Sequence, residues 1–176
     1  PRTAESREWF RRKAQQLRRV NRNSLMKEEP IQLANRFAPG AMFMFFYDPK
    51  LKKTLPYYDS FPLVIVVGKA KDGFLGLNLH YLPPTLRAKL LDSLMDITTD
   101  NKFDDNTKFK LSYSLLKRAA KYKYFKPCIK HYLSAHVRSR FALVPAPEWE
   151  IAAFLPTADW QKASASQVYS DSRKKI

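Results

Sequence analysis

The chain is poor in glycine, cysteine and acidic residues. Four glycines among 176 residues, against twelve prolines, indicate turns that are rigid rather than flexible. The single cysteine, Cys128, excludes an intramolecular disulfide and a zinc site built from several cysteines. No apolar run approaches the roughly 18–20 residues of a membrane span, and no apolar signal-peptide core follows the charged N-terminus. We therefore expect a soluble protein made inside the cell, with no membrane span.

Basic residues are abundant and unevenly placed. Lys and Arg number 32 against 16 Asp and Glu, which gives a net charge of +16. Residues 1–27 contain nine basic and two acidic residues, and residues 108–140 contain ten basic residues and no acidic one. Because self-repulsion on this scale costs stability, the surplus predicts an anionic partner such as nucleic acid, an anionic membrane or an acidic protein.

Residues 1–30 are predicted to form a basic N-terminal arm, either extended or helical. Their apolar stripe is too thin to bury a core, so we expect the arm to become ordered against a partner. Trp9 and Phe10 are its predicted apolar anchors. The predicted contacts to a partner or to nucleic acid, in the arm and further along the chain, are Arg7, Arg11, Arg12, Arg18, Arg19, Arg22, Lys117, Lys121, Lys130 and Arg138.

Residues 31–163 are predicted to form a single α+β domain, with its strands at about 41–82. Aromatic residues at 41–47, a β-branched run at 63–67 and an alternating run at 74–82 all favour strands, and Asp72-Gly73 favours a tight hairpin. These short strands predict a small twisted antiparallel sheet or an SH3-like open barrel. A last strand is predicted at 141–144.

Helices are predicted at about 84–140, followed by a polar, basic and mobile tail at 164–176. The first helix, 84–97, carries a wide leucine stripe; a second begins at about 106; a third begins at Pro127, with Ile129, Leu133 and Val137 at i+4 steps. We expect the first helix to pack on the sheet. The predicted core is Leu63, Ile65, Val67, Leu75, Leu77, Leu79, Leu90 and Leu94.

No catalytic residue, metal site or cofactor is predicted, so we do not expect an enzyme. Cys128, His131 and His136 fall within nine residues, but a fourth ligand is missing and neighbouring lysines repel a dication. Asp92 and Asp96 lie at i, i+4 and leave a divalent-metal nuclease open as a minor alternative. There is no glycine-rich phosphate loop.

The basic segment at 108–126 predicts binding that does not depend on sequence. It offers mainly lysines, which act as point charges on phosphates rather than as readers of base edges. Tyrosines are interleaved with these lysines and could stack on single-stranded bases, although core packing explains most of them equally well.

Two stretches resemble virion proteins of large contractile-tailed bacteriophages. They are Tyr57-Tyr58-Asp59-Ser60-Phe61-Pro62-Leu63-Val64 and the run from Gly73 to Pro84, which includes Leu77-Asn78-Leu79-His80-Tyr81-Leu82. The similarity covers about 37–160. The resemblance implies a non-enzymatic structural part of the head, neck, tail or baseplate, and it brings no catalytic residues.

The leading hypothesis is therefore a structural virion component of the tail, baseplate or neck region, made in the host cytoplasm. Its partners would be other virion proteins in a large assembly, reached through the basic arm, with nucleic acid as a further contact. The alternative is a DNA- or RNA-binding protein that acts in replication or packaging without sequence preference.

Overall fold

Six short strands form one antiparallel sheet in the part of the chain that the computed structural model describes. That part comprises residues 32–34, 40–98, 102, 104, 114, 128–144, 149–154 and 157–174. The strands are Gln32–Ala34 (β1), Met42–Met44 (β2), Leu63–Ala70 (β4), Gly73–Asn78 (β5), Ile129–Leu133 (β6) and Phe141–Val144 (β7). They lie in the order β1-β7-β2-β4-β5-β6. Two further strands, β3 (Tyr58–Asp59) and β8 (Trp160–Gln161), pair with each other.

Three α-helices accompany the sheet among the described residues: α1 (Pro84–Thr98), α2 (Trp149–Phe154) and α3 (Ala165–Lys174). Two 3-10 helices, η1 (Leu79–Tyr81) and η2 (Ser134–His136), follow β5 and β6. The predicted α+β class is confirmed, as are the antiparallel sheet and the helix that begins at Pro84. The arm at 1–30 and nearly all of the helix predicted from about 106 lie outside the described residues.

The predicted third helix is wrong, because residues 129–133 are strand β6 and pair with β5. The i+4 spacing of Ile129, Leu133 and Val137 fits a helix locally. In the structure, however, Tyr132 is the buried residue of this segment, and its ring packs over Gly76, 3.3 Å from the position that a Cβ would occupy there. Pairing with an otherwise free edge of the sheet outweighs the local periodicity.

The mobile tail predicted at 164–176 is also wrong over most of its length, since residues 165–174 form the helix α3. Val168 of this helix is fully buried in the core, and the hydroxyl of Tyr169 accepts a hydrogen bond from Arg87. A single apolar side chain in a polar segment is a weak sequence signal, which explains the error.

The face of the sheet that packs against the helices forms the main core. This core contains six residues of the predicted set, together with further residues of all three helices. The six are Leu63, Ile65, Val67, Leu77, Leu79 and Leu90. Leu75 is half-buried and packs against this core, and the side chain of Leu94 lies outside the described residues. The strands thus bury the face that their alternation predicts.

The opposite face is covered by aromatic side chains. The ring of Phe45 lies 5.1–5.9 Å, centroid to centroid, from the rings of Phe74, Tyr132 and Phe141, in edge-to-face arrangements. Beside this cluster, the residues that follow β6 pair with the residues that follow β2. Tyr47 and Val137 form an isolated antiparallel β-bridge, and two further backbone hydrogen bonds join residues 46–48 to residues 136–138. The sheet therefore curls towards an open barrel, and this curl brings β6 next to the loop at 49–57.

Two glycines of β5 allow the close approach of its two neighbouring strands, Gly73 that of β6 and Gly76 that of β4. A Cβ on Gly73 would lie 1.8 Å from the carbonyl oxygen of Tyr132, and a Cβ on Gly76 would lie 2.2 Å from a methyl group of Val64. Glycine is needed at both positions for space, since neither has a positive φ. The positive φ of this hairpin belongs to Asp72, at 60°.

Candidate functional site

A cleft of about 380 Å³ opens where the curled edge of the sheet meets the loop at 49–57. Its exposed lining residues include Lys50 and His131, which we call the rim, and its buried polar lining residues are Asp59 and Asn78, which we call the floor. Five tyrosines and a further lysine line the walls: Tyr47, Tyr57, Tyr58, Tyr81, Tyr132 and Lys130. We refer to this feature as the tyrosine cleft.

The walls of the tyrosine cleft combine aromatic rings with positive charge. The ammonium group of Lys130 lies 4.2 Å from the centre of the Tyr81 ring, within the range of a cation–π interaction. The rings of Tyr47 and Tyr132 meet edge to face at 5.0 Å. Tyr57 and Tyr58 are half-buried and retain exposed surface. Flat rings next to lysines suit a ligand that has both a planar ring and an anionic group.

The floor of the cleft is built on the carboxylate of Asp59, which accepts hydrogen bonds from four directions. Its Oδ1 accepts from the backbone N–H groups of Phe61 and Asp159, each at 3.0 Å. Its Oδ2 accepts from the side-chain amide of Asn78 at 3.1 Å and lies 2.5 Å from Nδ1 of His80. Burial raises the pKa of Asp59, but His80 and the hydrogen-bond donors together outweigh it, so that the pKa is lowered.

His80 continues this network to Thr157, whose hydroxyl lies 3.1 Å from Nε2. The order Asp59, His80, Thr157 is that of the acid, base and hydroxyl groups in a hydrolytic triad. Thr157 is fully buried and His80 is 1% exposed, so no substrate can reach the hydroxyl in this structure. What the arrangement does is fix the orientation of His80 and, through Asp59, the floor of the cleft.

Arg87 of α1 holds the helices against the backbone of η1. Its guanidinium donates to the carbonyl oxygens of Leu82 at 2.7 Å and Ala153 at 2.8 Å, and to the hydroxyl of Tyr169 at 2.7 Å. A longer bond, of 3.3 Å, reaches the carbonyl oxygen of His80. Burial lowers the pKa of Arg87, although an arginine stays charged in proteins. This buried cation therefore ties α1, α2 and α3 to the segment that carries His80.

The wall formed by the loop at 49–57 is fixed by Lys162. The ammonium group of Lys162 donates to the carbonyl oxygens of Lys52 at 2.6 Å and Leu55 at 3.1 Å. The backbone of Lys162 has a positive φ of 71°, a conformation that residues other than glycine rarely adopt. Leu51, at the tip of the loop, is 60% exposed and lies on the cleft. The loop thus presents a basic tip with one exposed apolar side chain.

Two of the predicted contact residues fall within the described part of the chain. Lys130 lies in the tyrosine cleft. Arg138 is exposed but is not among the cleft residues; its guanidinium lies 3.8 Å from Asp48 and donates to the carbonyl oxygen of Ala135. Their role in binding a partner stays a prediction. The other predicted contacts, in the arm and at 117 and 121, and the anchors Trp9 and Phe10 lie outside the described residues.

The sequence analysis missed Lys50, Tyr58 and Asp59 as site residues. The polar alternation in Leu77-Asn78-Leu79-His80 is the signal that could have indicated a buried polar partner such as Asp59, because both of its polar residues are buried. Two buried polar side chains require hydrogen-bond partners, and the carboxylate of Asp59 is the partner of both.

The cysteine and histidines that were considered as metal ligands are separated in the structure. Cys128 is fully buried, and burial raises the pKa of its thiol to about 12. A ring nitrogen of His131 bonds to the carbonyl oxygen of Lys71, and one of His136 to that of Asp48. Among the described residues, no group of three or more His, Cys, Asp or Glu side chains could hold a metal ion. No described helix is long and apolar enough to cross a membrane.

The chain matches the family described as the phage T4 terminal DNA protecting protein over residues 3–174. No curated protein and no solved structure matches the chain. The resemblance to bacteriophage proteins is confirmed at that level, while the match does not support a tail, neck or baseplate component in particular. Since it spans almost the whole chain, the protein belongs to the bacteriophage family of the terminal DNA protecting protein.

Proposed function

We propose that the protein binds the ends of linear phage DNA without sequence preference and shields them from nucleases. The observation that carries this proposal is the family match over residues 3–174, whose description names protection of terminal DNA. It favours the alternative of the sequence analysis, a DNA-binding protein, over a tail or baseplate component. The net charge of +16 and the lysines of the tyrosine cleft are consistent with it.

The physical basis of such binding would be neutralisation of phosphates by lysine and arginine. Each phosphate that is neutralised releases condensed counterions, so the affinity should fall steeply as salt is raised. Phosphate contacts carry no direct sequence information, which suits a protein that must recognise an end whatever its sequence.

We propose that the protection is steric and involves no chemistry. Its support is the burial of the one described Asp-His-Thr arrangement, whose hydroxyl is closed to solvent. A protein that covers the terminal base pairs denies an exonuclease its starting point and need not cut or modify the DNA.

An exonuclease protection assay tests the function. We expect the full chain to protect a linear duplex from a double-strand exonuclease, with protection lost as salt is raised. Unlabelled linear DNA should abolish protection at a much lower mass than a covalently closed circle of the same sequence. Equal competition by both DNAs would show that the protein binds duplex but not ends.

We also propose that the protein travels in the virion on the ends of the packaged DNA. Mass spectrometry of purified particles should then detect it, and particles emptied of DNA should contain less of it than full ones. A protein confined to infected-cell extracts would contradict this location. A place in the tail, baseplate or neck remains a prediction of the resemblance alone.

A further inference from the structure

We infer that the tyrosine cleft takes the terminal nucleotide of a DNA strand, with its base inside the cleft and its phosphate at the rim. This inference rests on the proposed function and assigns its end recognition to a site. The three observations that carry it are the size of the cleft, the aromatic and cationic character of its walls, and the negative charge at its floor.

The size of the cleft favours one nucleotide over a duplex. Its volume of about 380 Å³ is in the lower part of the roughly 300–1,000 Å³ found for small-ligand sites. A base within a duplex could enter only by leaving the stack on both sides, whereas a terminal base is stacked on one side only. Because unstacking is the cost of extruding a base, an end should enter more readily than an interior position.

The walls and the rim match the two halves of a nucleotide. Tyr58 presents a half-buried ring on which a base of any identity can stack. Lys50 at the rim and Lys130 on the wall place positive charge beside it. Neither contact distinguishes one base from another, as the binding of arbitrary ends requires.

The floor determines the orientation. Asp59 is ionised because His80 and the hydrogen-bond donors lower its pKa, and both of its oxygens already accept hydrogen bonds. A carboxylate at the bottom repels a phosphate, while Lys50 at the rim attracts one. The base therefore points inward and the phosphate outward, which leaves the rest of the strand free to continue along the protein surface.

The cleft is also held in shape without a ligand. Its loop wall is held by Lys162, its floor by the Asp59 network, and the hydroxyl of Tyr47 accepts a hydrogen bond from the backbone of Leu133 at 2.8 Å. A preformed site avoids the loss of affinity that ordering would cause.

The test compares two DNAs of the same sequence: a hairpin with one blunt end, and a dumbbell whose two ends are both closed by loops. We expect the wild-type chain to bind the hairpin at least tenfold more tightly. Tyr58→Ala and Lys50→Ala should bring that ratio close to one while binding to the dumbbell persists. Tyr58→Phe, which keeps the ring, and Lys69→Ala, which removes an exposed lysine away from the cleft, should keep the wild-type ratio. Thermal unfolding checks that each variant is folded.

A photo-crosslinking measurement locates the base directly. 5-Iodouracil is placed at the 5′ end, at the 3′ end, or six base pairs inside the hairpin. We expect a crosslink to the peptide that contains Tyr57 and Tyr58 from a terminal position only, and the position that reacts identifies the strand end that enters.

The outcomes separate the two proposals. A wild-type preference for ends that survives in Tyr58→Ala, or a crosslink to this peptide from the interior position, would overturn the cleft as the site and leave the proposed function standing. Equal binding of hairpin and dumbbell by the wild-type chain would overturn the proposed function, and the cleft inference with it.

Discussion

Replacement of Asp59 by asparagine should destabilise the protein strongly, because the carboxylate holds together parts of the chain that are far apart in sequence. Asp59→Asn keeps the size of the side chain but replaces one acceptor oxygen with an NH₂ group. That group would face N–H donors, from Phe61 and Asp159 on one side or from Asn78 and His80 on the other. In the first orientation the N–H groups of Phe61 and Asp159 both lose their acceptor. In the second, Asn78 loses its acceptor and His80 must change its tautomer.

The magnitude follows from the burial of the site. Asp59 is 4% exposed and His80 1% exposed, so water cannot replace the lost hydrogen bonds. Each buried hydrogen-bond donor that loses its acceptor costs about 1–3 kcal/mol, and the cost is larger where a charged group is involved. We expect a loss in this range at neutral pH, a large share of the roughly 5–15 kcal/mol that stabilises a domain.

The loss should depend on pH in a defined direction. The pKa of Asp59 is lowered in the folded protein, so its ionised form contributes stability above the unfolded pKa of about 3.9. That contribution disappears as the pH falls through the lower, folded value. The difference in stability between wild type and Asp59→Asn should therefore be largest near neutral pH and shrink in acid, below about pH 4.

Urea unfolding, followed by tryptophan fluorescence at a series of pH values, measures both effects. Asp72→Asn is the matched control, since Asp72 is exposed and asparagine tolerates its positive φ. This control should stay within about 0.5 kcal/mol of wild type. The reasoning is refuted if Asp59→Asn is equally mild, or if its effect is as large in acid as at neutral pH.

Four further predictions concern buried residues. Leu77→Asp should leave the protein unfolded by circular dichroism, because it buries a carboxylate without a partner. Arg87→Met should cost about 3 kcal/mol, with faster hydrogen exchange in α3, since it leaves carbonyl oxygens buried without a donor. Gly76→Ala should cost about 1–3 kcal/mol in urea unfolding, and Val64→Ala should recover part of this because the Val64 methyl is the clashing atom. The Cys128 thiol should react with a disulfide reagent only after unfolding, since its burial raises the pKa to about 12.

Local patterns in the sequence were sufficient for one part of the fold. The hairpin of β4 and β5 and the helix that begins at Pro84 depend on alternation, turn residues and a leucine stripe, all within a few residues of each other. The strand at 129–133 could not be predicted this way. Its place is decided by the edge of β5, more than fifty residues away, and by the space that Gly76 leaves for Tyr132.

The candidate site was out of reach for the same reason. Charge counting identified Lys130, but nothing near Asp59 in sequence indicates that its carboxylate accepts a hydrogen bond from Asp159, 100 residues further on. Asn78 and His80 alternate with leucines and are both buried, which indicates that they need a polar partner but does not identify that partner.

The pairing of β3 with β8 has a consequence for how the protein is made. Tyr58 pairs with Gln161 and Asp59 with Trp160. The floor of the tyrosine cleft therefore cannot form until the ribosome has added residues 157–161. Contacts so distant in sequence form late in folding, because a long loop must close first. A polypeptide stopped at residue 156 should keep the β4–β5 hairpin and show rapid hydrogen exchange at Phe61, whose N–H the Asp59 carboxylate binds. A nascent chain would then have no finished tyrosine cleft, and the proposed binding of a terminal nucleotide could begin only after synthesis has passed this point.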